Sequence, residues 1–326
     1  MSGRNQLPVG GIDLGATKIL SVVVSHAGDV LAEDIRPTEG VEGPDAVIAN
    51  MTASLRQAMA SAGIDRLAAV GVDAPGPVDY ERGVVTEAPN LPVWHDVPLA
   101  PLFSKEFGAP CALENDANAS ALAEHRWGAG RGSRHMLFLT VSSGVGGGII
   151  VDGALYRGAS GAAGEVGHMT INARGPRCGC GRRGCLEMYA SGLAIARRAR
   201  RLVARHPDSL IAMLAREQPL TAKLVQQAAE DGDDGAEELI NAAGYDLGIG
   251  LGSLINIFNP QMIVIGGSLT KAGDSYLGPA REAAQRESFE QAWQDVRIVV
   301  GELGDRSAAM GAAAVAIDAV RGHLAT

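Results

Sequence analysis

Short apolar runs broken by glycine open the chain. Residues 9–24 read VGGIDLG and then TKILSVVV, the pattern of a strand, a glycine turn and a returning strand. A third short strand is expected near 29–33. Over 44–62, Ile48, Met51, Leu55 and Met59 recur at three-to-four spacing, which predicts an amphipathic helix. An apolar strand over 67–72 runs into the turn cluster DAPGPVD at 73–79. Residues 98–107 read as a helix and 110–113 as a strand. A further helix starts at Asn115 and Asp116 and puts Ala119, Leu122, Ala123 and Trp127 on one face.

The opening pattern returns about 130 residues later. HMLFLTV at 135–141 is a strand, SSGVGGG at 142–148 the turn, and IIVDGALY at 149–156 the returning strand. Two copies at this distance indicate a duplicated α/β unit, because repeat arrays have periods of about 20–50 residues. The second half is largely helical. A helix over 235–258 carries Leu239, Ala243, Leu247, Leu251 and Leu254 as one apolar ridge. Gly244, Gly248 and Gly252 lie beside it and admit a close neighbour. Asn259 and Pro260 end the helix. A buried strand over 262–265 leads into Gly266 and Gly267, and a last helix spans 307–320.

Composition narrows the class. At 326 residues the chain has room for two domains, and 46% hydrophobic against 20% charged residues excludes disorder. The 28 Lys and Arg against 37 Asp and Glu leave a net charge of −9, whereas a nucleic-acid binder needs a basic face. Four cysteines in so long a chain build no disulfide framework. The N-terminal stretch has no apolar core of a signal peptide. The long uncharged run 247–270 is interrupted by Asn256, Asn259, Pro260 and Gln261, which a membrane interior would penalise. The expectation is a soluble, cytoplasmic protein with neither a membrane nor a nucleic-acid partner.

Four stretches carry candidate chemistry. The first runs from Asp13 through Gly15, Ala16 and Thr17 to Lys18. It lacks the Walker A order, in which the glycine loop opens a helix. A glycine hairpin can still offer backbone N–H groups and the Thr17 hydroxyl to phosphate oxygens, although an ordinary β-hairpin has the same pattern. The second, SSGVGGG, precedes a strand rather than a helix, so it fails as a dinucleotide fingerprint and fits a second phosphate hairpin. The third is Glu114, Asn115 and Asp116, where a carboxylate either caps the helix or acts as a general base beside an amide that binds a substrate hydroxyl.

The fourth is GEVGH at 164–168 followed by CGCGRRGCLE at 178–187. Cys178, Cys180 and Cys185 fall within eight residues, and His168 lies ten positions upstream of the first. Three thiols and an imidazole are a donor set for tetrahedral Zn²⁺; buried free thiols or a redox pair are the other readings. The interleaved glycines favour a tight metal loop. Cys111, alone in its strand, reads as a small buried hydrophobe. The basic run over 197–201 reads as a solvated helix face.

These stretches, in this order, resemble the ROK family (repressor, open reading frame, kinase) of sugar kinases. GIDLGATK, ENDANA, SSGVGGG, GEVGH and CGCGRRGCLE carry the resemblance, which covers nearly the whole chain. It implies an α/β, actin-like ATPase fold of two ribonuclease-H-like domains with ATP and sugar in the cleft between them. The small domain would span 1–117 and take back the C-terminal helix 307–326. The large domain, 118–306, would carry the zinc loop. By resemblance Asp116 is the catalytic base, and Asn115, Glu165, His168 and Glu187 bind sugar hydroxyls together with Gly76 and Asn90. His168, Cys178, Cys180 and Cys185 would hold a structural Zn²⁺. Asp13, Gly15, Thr17 and Lys18, with Thr140, Ser143, Gly144 and Gly146, would hold the ATP phosphates and Mg²⁺. Gly266 and Gly267 would lie under the adenosine.

Two positions depart from the family pattern. Ala16 stands where Gly is common and narrows the phosphate turn slightly, and Ser142-Ser143 stands where Gly-Thr is common but keeps a hydroxyl. The family is usually dimeric, so a homodimer is expected. The implied reaction is ATP-dependent phosphorylation of glucose at its 6-hydroxyl, because EAPNLPVWHDVPLA at 87–100 and CLEMYASG at 185–192 resemble the glucokinase branch. N-acetylglucosamine and N-acetylmannosamine kinases share the cysteine loop and stay open as alternatives. Sugar-sensing repressors of the family carry a winged-helix domain ahead of the first phosphate hairpin. Only ten residues precede Gly11, so an enzyme is the expectation.

Overall fold

The computed structural model describes residues 7–88, 91 and 93–321. Its first elements are β1 (Val9–Leu14), β2 (Lys18–Val24), β3 (Val30–Pro37), α1 (Pro44–Ala62) and β4 (Val70–Ala74). Then come β5 (Val78–Asp79), β6 (Val84–Glu87), β7 (His95–Val97), α2 (Leu99–Phe107), β8 (Cys111–Asn115) and α3 (Asp116–Trp127). The hairpin returns as β9 (Met136–Val141), β10 (Val145–Val151) and β11 (Ala154–Leu155). Helices α4 (Glu187–Ala190), α5 (Gly192–Arg205), α6 (Leu210–Leu214), α7 (Ala222–Glu230) and α8 (Asp234–Phe258) follow. The chain finishes with β12 (Met262–Gly266), α9 (Asp274–Glu287), α10 (Glu290–Asp295), β13 (Arg297–Val300) and α11 (Ser307–Arg321).

Two five-stranded sheets repeat one plan. The first has the order β3-β2-β1-β4-β8 and the second β11-β10-β9-β12-β13. In the first, β1 pairs antiparallel with β2 and parallel with β4, which pairs parallel with β8. In the second, β12 lies parallel to both β9 and β13. This duplicated order is the actin-like arrangement. Strand β13 and the small sheet β5-β6-β7 have no counterpart in the sequence reading. The third strand is longer than expected, 30–37, because on this sheet edge charged and apolar residues alternate without an apolar run.

The chain divides into two compact units. One is Met1–Gly132 with Gly148–Gly164 and Gly301–Thr326; the other is Ser133–Gly147 with Glu165–Val300. In the first unit the sheet is buried on both faces. Ile12, Leu14, Ile19 and Val72 pack with Val47, Met51 and Leu55 of α1 and Phe103 of α2. Val9, Leu20 and Val22 meet Ala309, Ala313 and Ile317 of α11. That second contact is backbone-close: a Cβ on Gly71 would lie 1.8 Å from the Ala312 carbonyl oxygen.

The second unit is organised by α8. Its glycine row does admit a neighbour, since a Cβ on Gly244 would lie 2.1 Å from the Tyr276 carbonyl oxygen, and one on Gly248 2.4 Å from that of Ala280. The basic run on α5 is not simply a solvated face. Arg197 donates to the Met188 carbonyl and Arg198 pairs with Asp246 at 2.6 Å. A guanidinium on a long stem reaches such partners where sequence shows only charge. Cys111 packs against the core of the first unit, and burial pushes its thiol up to about 12. Among the described residues no helix is long and apolar enough to cross a membrane.

Gly71→Ala is expected to cost about 1–3 kcal/mol, the scale of overpacking a filled core. A lower denaturant midpoint with an unchanged m-value checks this; an unshifted midpoint would mean α11 yields freely.

Candidate active site

Strand register builds the first half of the site. Asp13 of β1 pairs with Asp73 of β4, and Asp73 with Glu114 of β8. Paired residues on neighbouring strands share a face, so three carboxyl groups stand in a row at the carboxyl ends of three parallel strands. Ligand sites in open α/β sheets lie at such ends. Two residues earlier on the same face are Gly11, Gly71 and Ala112, the small positions that admit α11.

The row cannot be fully ionised. Both Asp73 carboxyl oxygens are buried and no N–H group among the described residues donates to them. Burial, followed by the charges of Asp13 and Asp116, pushes Asp73 well above the usual carboxylate range. Burial also pushes Asp13 up to about 6, against the pull of its bond to Asp73 and of Lys18. Protonation of Asp73 would relieve the pair.

The Asp13–Lys18 turn projects from β1. The Gly15 N–H donates to the Lys18 carbonyl at 3.0 Å. From the end of β3, the Thr38 hydroxyl donates to the Gly15 carbonyl at 2.7 Å and the Thr38 N–H to the Thr17 carbonyl at 3.1 Å. Ala16, Thr17 and Lys18 are exposed on this braced turn, and the Lys18 ammonium lies 3.8 Å from the Asp305 carboxylate.

At the end of β8 the cap and the base candidate are separate residues. Asn115 is the N-cap of α3: its Oδ1 accepts from the N–H groups of Ala117 and Asn118 at 3.0 and 3.2 Å. Its Nδ2 donates to the Gly76 carbonyl at 3.3 Å. Gly76 has φ of 88°, a conformation that favours glycine. Asp116 sits in the first turn, where Oδ1 accepts from the Ala117 N–H at 2.8 Å and the helix dipole favours the anion. Asn90 lies outside the described residues.

Glu114 is held on both oxygens. Oε1 accepts from the Asn115 N–H at 3.0 Å and from Asn118 Nδ2 at 3.1 Å, while Oε2 takes Arg157 Nε at 2.7 Å. Arg157 and Asp73 were invisible as site residues in the sequence. A faint signal existed for Asp73, since GGID and VGVD both end apolar strands in aspartate. Arg157 had none, as its partner lies 43 residues away.

In the second unit the Thr140–Gly147 hairpin is anchored from two sides. The Gly192 N–H donates to the Ser142 carbonyl at 2.7 Å and the Leu193 N–H to that of Ser143 at 3.2 Å. The Ser142 and Ser268 hydroxyls lie 3.0 Å apart, a contact no sequence spacing announces. Thr140 pairs with Gly266, and a Cβ on Gly267 would lie 2.4 Å from the Val141 carbonyl oxygen. The structure thus brings Gly266 and Gly267 beside the hairpin. Ser143 is exposed, while Gly144 and Gly146 are half-buried.

The cysteine loop converges as its spacing implied. Donor atoms of His168, Cys178, Cys180 and Cys185 all lie within 4.8 Å of one another. Cys180 and Cys185 Sγ are 3.6 Å apart, far beyond a disulfide bond. Cys178 Sγ is 3.6 Å from His168 Nδ1. Burial raises the Cys178 thiol and pushes Cys185 up to about 12, whereas the Arg182 N–H lowers Cys180. Three thiols and one imidazole nitrogen fit a tetrahedral metal ion. His168 keeps its other nitrogen for other work: Nε2 is 3.9 Å from Glu165 Oε2. Glu187 joins loop to hairpin, with Oε1 3.7 Å from Cys178 Sγ and Oε2 3.4 Å from the Val145 N–H.

Duplicated sheets, glycine hairpins at strand ends and carboxylates beside them define a protein of the actin-like ATPase class. The family model described as ROK family matches residues 9–319. A glucokinase from Thermotoga maritima is 35% identical over 96% of this chain and 98% of its own. The xylose repressor of Caldicellulosiruptor bescii is 33% identical over 94% of this chain and 77% of its own. A ROK family glucokinase from Streptomyces griseus, solved in complex with glucose and AMPPNP, superposes with a TM-score of 0.83 at 32% identity, covering 95% of this chain and 99% of that one. The chain belongs to the ROK family.

The acid row makes stability depend on pH. Folding raises the Asp13 and Asp73 pKa values above the ordinary 3.8, so the folded state binds the extra proton. The pair's favourable contribution is complete below pH 3.8 and is lost as pH rises through about 6. Asp73→Asn should therefore raise the melting temperature by ~2–4 °C at pH 7.5 in divalent-free buffer, with the gain vanishing near pH 4. A gain of equal size at both pH values would count against the raised pKa values.

Proposed function

We propose that the chain phosphorylates glucose at its 6-hydroxyl with ATP, and that Asp116 is the general base. One observation carries the reading. Asp116 stands in the first turn of α3, just past β8, at the same carboxyl end of the parallel strands as the Asp13–Lys18 turn that follows β1. Base candidate and phosphate turn thus sit on strand ends of one sheet, and relatives on both counts include glucokinases.

Phosphoryl transfer asks mainly for positioning, charge neutralisation and a base for the attacking hydroxyl. The Asp116 carboxylate would take the proton of the sugar hydroxyl as that oxygen bonds to the γ-phosphorus. The bond to the β–γ bridging oxygen breaks, and its electron pair leaves with ADP. The Ala117 N–H keeps the carboxylate aimed. Asn115 Nδ2 has a second hydrogen beyond the one given to Gly76, which suits a sugar oxygen. Glu165, His168 Nε2 and Glu187 would read further ring hydroxyls, with Gly76 and Asn90.

Asp13, Gly15, Thr17 and Lys18, together with Thr140, Ser143, Gly144 and Gly146, would hold the phosphates and Mg²⁺, which when bound neutralises phosphate charge. Gly266 and Gly267 would support the adenosine. His168, Cys178, Cys180 and Cys185 would hold Zn²⁺, whose part is to tie the loop that aims Glu165, His168 and Glu187. A homodimer in the cytoplasm belongs to the same proposal.

The deciding experiment is a coupled ADP-release assay over glucose, N-acetylglucosamine, N-acetylmannosamine, mannose and fructose, with Asp116→Asn alongside. Glucose should give the highest kcat/KM. The variant should lose about 10²–10⁴-fold in kcat while glucose affinity holds, the scale of removing a general base. Wild-type-like turnover in the variant removes the base assignment; an N-acetyl sugar ahead by about tenfold or more moves the substrate but keeps the kinase.

Zinc should be present at one ion per chain in protein purified without chelator, and Cys180→Ser should release it with a loss of thermal stability, because metal binding and loop folding are coupled. Mass spectrometry finding no zinc in the wild-type protein would reject the assignment.

A further inference from the structure

Arg157 belongs to no part of the proposed machinery, yet three segments of the first unit meet on it. Its side chain is 16% exposed and that of its partner Glu114 2%. Its Nε donates to Glu114 Oε2 at 2.7 Å, and its guanidinium carbon lies 5.0 Å from the centroid of the Tyr80 ring. Its carbonyl accepts from the Ala163 N–H at 3.0 Å, which closes the loop 157–163. A Cβ on Gly161 of that loop would lie 3.2 Å from the Tyr80 ring, so the loop rests on the tyrosine as well. Gly164 and Glu165 follow directly.

Glu114 in turn brackets the proposed base. Its other oxygen accepts from the Asn115 N–H, one residue before Asp116, and from the Asn118 side chain, two residues after it. The peptide entering Asn115 and the Asn118 side chain in the first turn of α3 are both tied to one carboxylate. That carboxylate stands in a row with Asp13 and Asp73, where no other described guanidinium donates to it. Removing the cation leaves a buried charge uncompensated among other acids. The Glu114 carboxylate then loses the partner that fixes Oε2, and its displacement reaches Asp116 through the bond to the Asn115 N–H.

We infer that Arg157 is a positioning residue for phosphoryl transfer: through Glu114 it sets the angle of Asp116, and through the 157–163 loop it sets the segment leading to Glu165. The inference rests on the sugar-kinase reading. Because Arg157 acts on the base through Glu114 and on the segment leading to Glu165, a particular kinetic pattern follows. Turnover and sugar KM should both change, and the KM for ATP should not.

The test compares wild type with Arg157→Met, Arg157→Lys, Glu114→Gln and the Arg157→Met/Glu114→Gln double variant, using ADP release and melting temperature. Arg82→Met, an exposed arginine outside this cluster, serves as the control. Arg157→Met should lower kcat about tenfold or more and raise the glucose KM several-fold, with the ATP KM within about twofold, as a small misplacement of reacting groups does. Arg157→Lys should recover most of kcat by restoring the charge. The double variant should be no worse than Arg157→Met, since one interaction is lost only once.

A folded Arg157→Met protein with kcat and glucose KM within about twofold of wild type overturns the inference. So does full additivity in the double variant. If Arg157→Met does not fold, Glu114→Gln decides by the same criterion. An active wild type with unaffected variants rejects this inference alone, whereas a wild type inactive on every sugar rejects the kinase reading and the inference with it.

Discussion

Like charges crowded at the end of a sheet are the constraint on which the first unit turns. Gly11, Gly71 and Ala112 must be small for α11 to lie on β1, β4 and β8, and the strand period then aims the next residues of that face, Asp13, Asp73 and Glu114, at one edge. Carboxylates at that spacing in a low-dielectric setting repel strongly. Each is managed differently. Burial pushes Asp13 and Asp73 up, Glu114 has a guanidinium, and Asp116 has a helix N-terminus. The three solutions leave the groups with different chemistry from nearly the same side chain. Carboxyls pushed up by burial hold a proton, a guanidinium-bound carboxylate stays occupied, and a carboxylate at a helix N-terminus is favoured as the anion.

The second unit uses a different device, cross-linking by soft donors. Glu187 contacts both a thiol of the cysteine loop and an N–H of the glycine hairpin. His168 faces the thiols through one nitrogen and Glu165 through the other, which fixes the orientation of the ring. The loop backbone is equally committed, since a Cβ on Gly184 would lie 1.6 Å from the Asn172 carbonyl oxygen at a φ of 71°. The short-range order of this region comes from the chain's own turns, and the donors are gathered by it.

Most of this was legible in the sequence where the signal is local. Glycine hairpins, the α8 ridge with its glycines, and the Cys and His spacing all depend on residues close in the chain, so pattern alone found them. Asn115 and Asp116 were found as a pair, but not which of the two caps the helix, because that depends on backbone angles at the junction. Asp73 and Arg157 escaped for another reason. Their significance lies in neighbours on other strands and loops: Asp73 shows only as an aspartate ending a second apolar strand, and Arg157 leaves no trace in its own neighbourhood. The alternating edge strand β3 was read short because half its face is polar.

The placement of α11 bears on how the polypeptide reaches this state as it is synthesised. Ala309, Ala313 and Ile317 complete the layer over Val9, Leu20 and Val22, so one face of the earliest strands stays uncovered until nearly the whole chain has emerged. Between these segments lie Ser133–Gly147 and Glu165–Val300, which form a compact unit of their own. That unit can assemble first, while the strands made earliest wait with an apolar face exposed. During that interval the nascent β1–β2 hairpin is the segment most open to aggregation and to capture by chaperones.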